Sequence, residues 1–118
     1  MKYTVNGVEE LKIAYIGGGS RGWAWGLMSD LAAADDIHGE VNLYDIDLEA
    51  AKHNEEIGNN RVPAKNFTYS AKKTIGEALT GANFVVVSIL PGTFDEMESD
   101  VHAPEKYGVW QSVGDTAG

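Results

Sequence analysis

Six consecutive residues carry the clearest chemistry in this sequence: Gly17-Gly18-Gly19-Ser20-Arg21-Gly22, with glycine at the first, third and sixth positions of G-x-G-x-x-G. Each glycine of that pattern has a physical task at an anion site. Gly17 permits a tight turn out of a strand, Gly19 lets the main chain approach a pyrophosphate with no Cβ in the way, and Gly22 lets the next helix pack closely on the sheet. The free N–H groups and dipole at that helix start then attract the phosphates. In a chain with 14 glycines the pattern alone is weak, so its neighbours decide.

The decisive neighbour is Asp45, 23 positions after Gly22. That is close to the spacing of about 20 expected for a carboxylate that accepts from ribose hydroxyls. Asp47 competes for the role but is already explained as a helix cap, so Asp45 is preferred. No Lys or Arg lies between Asp45 and Ala51, so a 2′-phosphate would meet a carboxylate with no cation to offset it. NAD is therefore expected rather than NADP. Arg21 stands equally as a partner for the pyrophosphate or a substrate carboxylate and as an ordinary exposed first-turn residue. The expected cofactor-binding set is Gly17, Gly18, Gly19, Ser20, Arg21, Gly22 and Asp45, joined by Ile89, Pro91 and Gly92 at the far side of the crevice.

These residues need a strand before the glycines and a helix after them. Lys12-Ile13-Ala14-Tyr15-Ile16, after a polar lead-in, reads as a buried first strand. From Ser20 a helical period places Trp23, Leu27 and Leu31 on one broad face with Ala24, Met28 and Ala32. Trp23 and Trp25 fall on nearly opposite sides, so one is expected to face the sheet. Val41–Tyr44 is a second strand, and Leu48 to about Asn59 a helix that Asn60 and Pro63 end. Phe67–Tyr69 is a weaker third strand, followed by a short helix through Ile75 and Leu79 that Gly81 ends. Phe84–Ile89 is the strongest strand signal, a β-branched run suited to burial on both faces. Phe94, Met97 and Val101 then recur at helical spacing until Pro104 interrupts. Alternating strands and helices give an α/β class: a Rossmann-like doubly wound parallel sheet, partial, of about four strands in the order 3-2-1-4. Its ligand crevice lies at the carboxyl ends of strands one and four.

Composition narrows the function. Nine basic against 18 acidic residues, a net charge of -9, works against a nucleic-acid partner. The longest nearly continuous apolar run, Phe84–Leu90, is far short of the roughly 18 residues needed to span a bilayer. Met1–Gly7 lacks the apolar core of a signal peptide and the chain has no cysteine, so a cytoplasmic protein is expected. His38, His53 and His102 stand at no metal-ligand spacing, so no metal ligand and no catalytic residue is expected here. Asp95, Glu96, Glu98 and Asp100 spread around a solvated helix face rather than forming a carboxylate pair, with Asp95, near the crevice, the first candidate for an exception.

Three segments resemble the NAD-dependent glycoside hydrolases of family 4. Lys12–Ser20 is similar to that family's opening strand and glycine turn, and Glu77–Val87 to the stretch leading into its fourth strand. Pro104-Glu105-Lys106-Tyr107-Gly108, followed by Gly114-Asp115-Thr116-Ala117-Gly118, resembles the run entering its substrate region. The first two segments are shared with lactate and malate dehydrogenases; the third is specific to the family.

The resemblance implies hydrolysis through redox and elimination, outside the usual two-carboxylate scheme. NAD takes hydride from C3 of the sugar, a base, typically Tyr, removes the C2 proton, and the C1 bond is eliminated before water adds and hydride returns. A divalent metal, usually manganese, is held by a Cys and a His from later in the chain. Residues 1–118 are thus expected to be an N-terminal NAD-binding domain cut before the metal and base, inactive alone. Members acting on phosphorylated sugars place arginines where Leu90 and Met97 stand, so an unphosphorylated substrate is expected, in the branch acting on α-galacturonides, α-glucuronides or α-galactosides. Two other readings compete: a lactate/malate-type dehydrogenase, which needs an arginine that Pro91-Gly92-Thr93-Phe94 does not supply, and a stand-alone nucleotide-sensing module, which would need a further strand and helix. The uncovered side of strand four predicts a homo-oligomer or modest stability.

Overall fold

A computed structural model describes residues 1–62 and 65–112 of the chain. Its elements are β1 (Lys2–Thr4), β2 (Gly7–Ile16), α1 (Gly22–Ala33), β3 (Ile37–Tyr44), α2 (Leu48–Asn60), β4 (Phe67–Ala71), α3 (Ile75–Leu79), β5 (Phe84–Val87) and α4 (Phe94–His102), then a 3-10 turn over Ala103–Tyr107. Pro63 and the Gly114–Gly118 run lie outside the described residues.

Four strands run parallel in the spatial order β4-β3-β2-β5, which is the expected 3-2-1-4. Ile13 pairs with Val41 on one side and Phe84 on the other, so β2 is the centre of the sheet. A fifth strand was not expected. The polar lead-in forms a hairpin in which β1 pairs antiparallel with the start of β2, Tyr3 opposite Val8. It escapes the sequence pattern because its side chains are largely solvated and give no apolar run. Gly7 closes the hairpin at φ 132°, where a Cβ would stand 1.8 Å from the Asp36 carbonyl oxygen. A bulge between Val8 and Leu11, with Glu10 at φ 55°, then turns the strand into the core.

Strand alternation sorts the two layers. Leu11, Ile13, Tyr15, Val41, Leu43, Phe67 and Tyr69 join Ala24, Met28 and Leu31 of α1 and Ala51 of α2 in one cluster. Asn42 points to the opposite face, where its amide donates to the Ala78 carbonyl of α3. Helices therefore lie on both faces of the sheet. Neither tryptophan of α1 faces the sheet, contrary to expectation: Trp23 is 76% exposed, Trp25 42%, and Ala24 makes the contact at 1%. A small side chain at that position lets the helix lie close to the strands.

The two sheet edges differ. On β4, α2 supplies side chains as surrogate strand partners: Asn59 donates to the Tyr69 carbonyl and accepts its N–H, and Glu55 accepts the Ala71 N–H. On the other edge, among the described residues, β5 pairs only with β2, and Phe84, Val85 and Val87 are more than half exposed. Burial of this strand on both faces is thus corrected, because no described element covers its outer side. Among the described residues no helix is long and apolar enough to cross a membrane.

Candidate functional site

The glycine turn lies where β2 ends and α1 begins, and glycine is needed in three consecutive places. Gly17 has φ 91°, and a Cβ there would fall 1.9 Å from the Ser88 carbonyl oxygen at the end of β5. Gly18 presses on β3, with a Cβ 2.8 Å from that of Leu43. Gly19 meets Ala50 of α2 at 2.7 Å and Asp45 at 2.8 Å. The task given to Gly22 is corrected: a Cβ there meets nothing within 4 Å, because it faces an open trough rather than the sheet.

Most N–H groups of the turn are already engaged. Gly17 and Gly18 donate to the Tyr44 carbonyl, Ser20 donates to the Gly17 carbonyl, and Gly19 donates to the Asp45 carboxylate at 2.9 Å. The donors left for an anion are those opening α1. Asp47, Thr74 and Thr93 cap the other three helices with their side chains, whereas Arg21 leads into α1 with no side-chain cap and no acidic residue follows in its first turn. The first N–H groups of a helix have no intrahelical acceptor, so this start carries unsatisfied donors and the positive end of the dipole. Arg21 is exposed and makes no ion pair among the described residues.

A crevice of about 540 Å³ opens beside the turn, over the carboxyl ends of β2, β3 and β5. Of the expected residues it takes in Gly17, Gly19, Ser20, Asp45 and Ile89; Gly18 lies beneath the turn, and Arg21, Gly22, Pro91 and Gly92 lie outside its lining. Gly92, at φ 95°, instead immediately precedes the N-cap of α4, where Thr93 and Glu96 form a capping box. Ile46, Ala50 and Leu90, which no motif marks, also line the crevice, as does Asp47, the competitor of Asp45 for the ribose. Ile46 and Ile89 are 96% and 60% exposed, two apolar side chains available to a flat aromatic ligand. A second trough of about 660 Å³, lined by Trp23, Leu27 and Val87, shares Ser88 with the first.

Asp45 does two things at once. Besides holding Gly19, it accepts the Asp47 N–H at 3.0 Å, while Asp47 accepts from Ala50 N–H as the cap of α2. Asp47 is thus the N-cap that the sequence indicated, and Asp45 is the carboxylate at the turn. The buried amide of Asn54 also binds the turn, a contact no motif announces. The histidines stay away from the crevice; hydrogen bonding to Glu105 pushes the exposed His102 imidazole above its usual range. Among the described residues no three His, Cys, Asp or Glu side chains could hold a metal ion.

Four parallel strands in the order β4-β3-β2-β5, with a glycine turn at the switch point between β2 and β5, define a Rossmann-type α/β protein. The family model for the family 4 glycosyl hydrolases matches residues 12–118, and the chain belongs to that family. It is 62% identical to an alpha-galacturonidase of Thermoanaerobacterium saccharolyticum, over all of this chain and 26% of that protein. Among solved structures, a Bacillus subtilis protein assigned as a glucosidase superposes with a TM-score of 0.81 at 53% identity, over 94% of this chain and 25% of that one. The Thermotoga maritima 6-phospho-beta glucosidase, solved with NAD and glucose-6-phosphate, gives 0.71 at 31% identity, over 86% and 24%. The chain spans about a quarter of the length of these relatives.

Proposed function

We propose that this chain is the NAD-binding N-terminal part of a family 4 α-glycosidase that acts on unphosphorylated α-glycosides, α-galacturonides first. One observation carries the cofactor reading: α1 has no side-chain cap and starts at a glycine turn whose Asp45 faces a crevice of about 540 Å³. The residues fit a dinucleotide. The first N–H groups of α1 and Arg21 receive the pyrophosphate, Asp45 accepts from the adenosine ribose, and Ile46 and Ile89 flank the adenine. Asp45 and Asp47, with no Lys or Arg between Asp45 and Ala51 in the chain, disfavour a 2′-phosphate and favour NAD over NADP.

When bound, NAD supplies the hydride acceptance and return at sugar C3 that this family's reaction requires. The chain's own contribution is to bind and orient it. The family resemblance assigns the base and a divalent metal such as manganese to residues outside this chain. The substrate class rests on the similarity to alpha-galacturonidases and on the family resemblance, which implies arginine in phosphosugar members at the positions held here by Leu90 and Met97. We place the protein in the cytoplasm and infer that it assembles as a homo-oligomer.

The test is hydrolysis of an α-galacturonide by the full-length gene product, supplied with NAD and manganese. Sugar release that requires both, with none from the 118-residue chain alone, is expected. Release by the short chain, or NAD-independent release by the long one, would contradict the proposal.

A further inference from the structure

Asn54 is 1% exposed, on the face of α2 turned toward the glycine turn. Its Nδ2 donates to the carbonyls of Gly18 at 2.7 Å and Ser20 at 2.9 Å, and its Oδ1 accepts the Trp25 indole N–H at 2.8 Å. An indole N–H can only donate, so Trp25 decides which end of the amide faces the turn. In a trans peptide the carbonyl and the following N–H point in opposite directions. Holding the Gly18 carbonyl therefore sends the Gly19 N–H toward Asp45, where it is found at 2.9 Å. Holding the Ser20 carbonyl sends the Arg21 N–H away from α2, into the group of donors at the start of α1.

We propose that Asn54, its amide oriented by Trp25, is a positioning residue for the dinucleotide: it fixes peptide planes 18–19 and 20–21 and so aims the turn's N–H groups. The inference rests on the NAD reading above. Asn54 touches no cofactor atom itself; it acts through the main chain, from the buried side of the turn. A lone asparagine within a helix has no motif to announce it. Its burial with three hydrogen bonds is the signal, because a buried amide left unpaired is costly.

The test uses the 118-residue chain, isotope-labelled, with Asn54→Asp and Trp25→Phe. Aspartate keeps the shape but turns an acceptor toward two carbonyls, and phenylalanine keeps a ring but loses the donor. Loss of these bonds should raise the calorimetric Kd for NAD about tenfold in Asn54→Asp and about threefold in Trp25→Phe, measured below each variant's melting transition. Both variants should also shift the amide resonances of Gly19 and Arg21, while Trp110→Phe, at an exposed position, shifts neither. Should Asn54→Asp not fold, Trp25→Phe decides alone. Wild-type Kd with unmoved Gly19 and Arg21 resonances would overturn the role of Asn54 and leave the NAD reading standing. No NAD binding by the unsubstituted chain would overturn that reading, and this inference with it.

Discussion

The carboxylate of Asp45 joins Gly19 to the start of α2: one oxygen accepts the Gly19 N–H at 2.9 Å, the other the Asp47 N–H at 3.0 Å. A residue chosen for its distance from the glycines thus also holds them in place. Asp45→Ala should cost roughly 1–3 kcal/mol in chemical denaturation, because two backbone donors lose a charged acceptor. It should also narrow the preference for NAD over NADP. An unchanged denaturation midpoint would show that solvent replaces both bonds.

The glycines divide by what surrounds them, and alanine substitution reads that division. Gly18→Ala would push a methyl to 2.8 Å from Leu43 Cβ and 3.0 Å from its Cα, backbone that cannot give way, so destabilisation of about 1–3 kcal/mol is expected. Gly22→Ala points into open space on a helix and should be neutral or stabilising by up to about 1 kcal/mol. The two melting shifts should have opposite signs or differ severalfold. Equal losses at both sites would restore a packing role to Gly22.

How much of this was legible follows from where the signals lie. Strands of the parallel sheet announce themselves as apolar runs whether or not both faces are covered, so β2, β3 and β5 could be read, as could Asp47 as a cap. The β1 hairpin could not, because strands wet on one side carry mixed residues. The glycine turn and Asp45 were visible through a motif that encodes spacing. Asn54 was not, since its importance comes from sitting opposite the turn in space, 36 and 34 residues from its two carbonyl partners. Gly58 is similar: it reads as an ordinary helix glycine, yet a Cβ there would strike the Tyr69 ring at 2.4 Å. The exposure of β5 contradicts its sequence pattern, because the pattern describes a strand with cover on both faces and no described element supplies it.

Burial pushes the Tyr69 phenol up from 10.0 to about 12. The folded state therefore binds this proton more tightly than the unfolded chain does. The associated stability is complete below pH 10 and is lost as pH rises toward 12. Tyr69→Phe should remove that component, so melting curves of the variant should fall less steeply over this interval than those of the parent chain. Parallel declines would show that the phenol carries no such linkage.

Among the described residues nothing covers Phe84, Val85 and Val87 on β5 of the 118-residue chain, while side chains of α2 close the edge at β4. Open edges recruit further strands. Light scattering should show concentration-dependent association, and Phe84→Lys should reduce it by placing a charge on that edge. Association unaffected by the substitution would assign it to another surface.

Calorimetric titration with NAD and with NADP tests the central claim most directly. One NAD site per chain is predicted, with NADP weaker by about tenfold or more, the equivalent of about 1.4 kcal/mol from an unpaired phosphate facing Asp45 and Asp47. No binding of either nucleotide, or equal affinity for both, would contradict it.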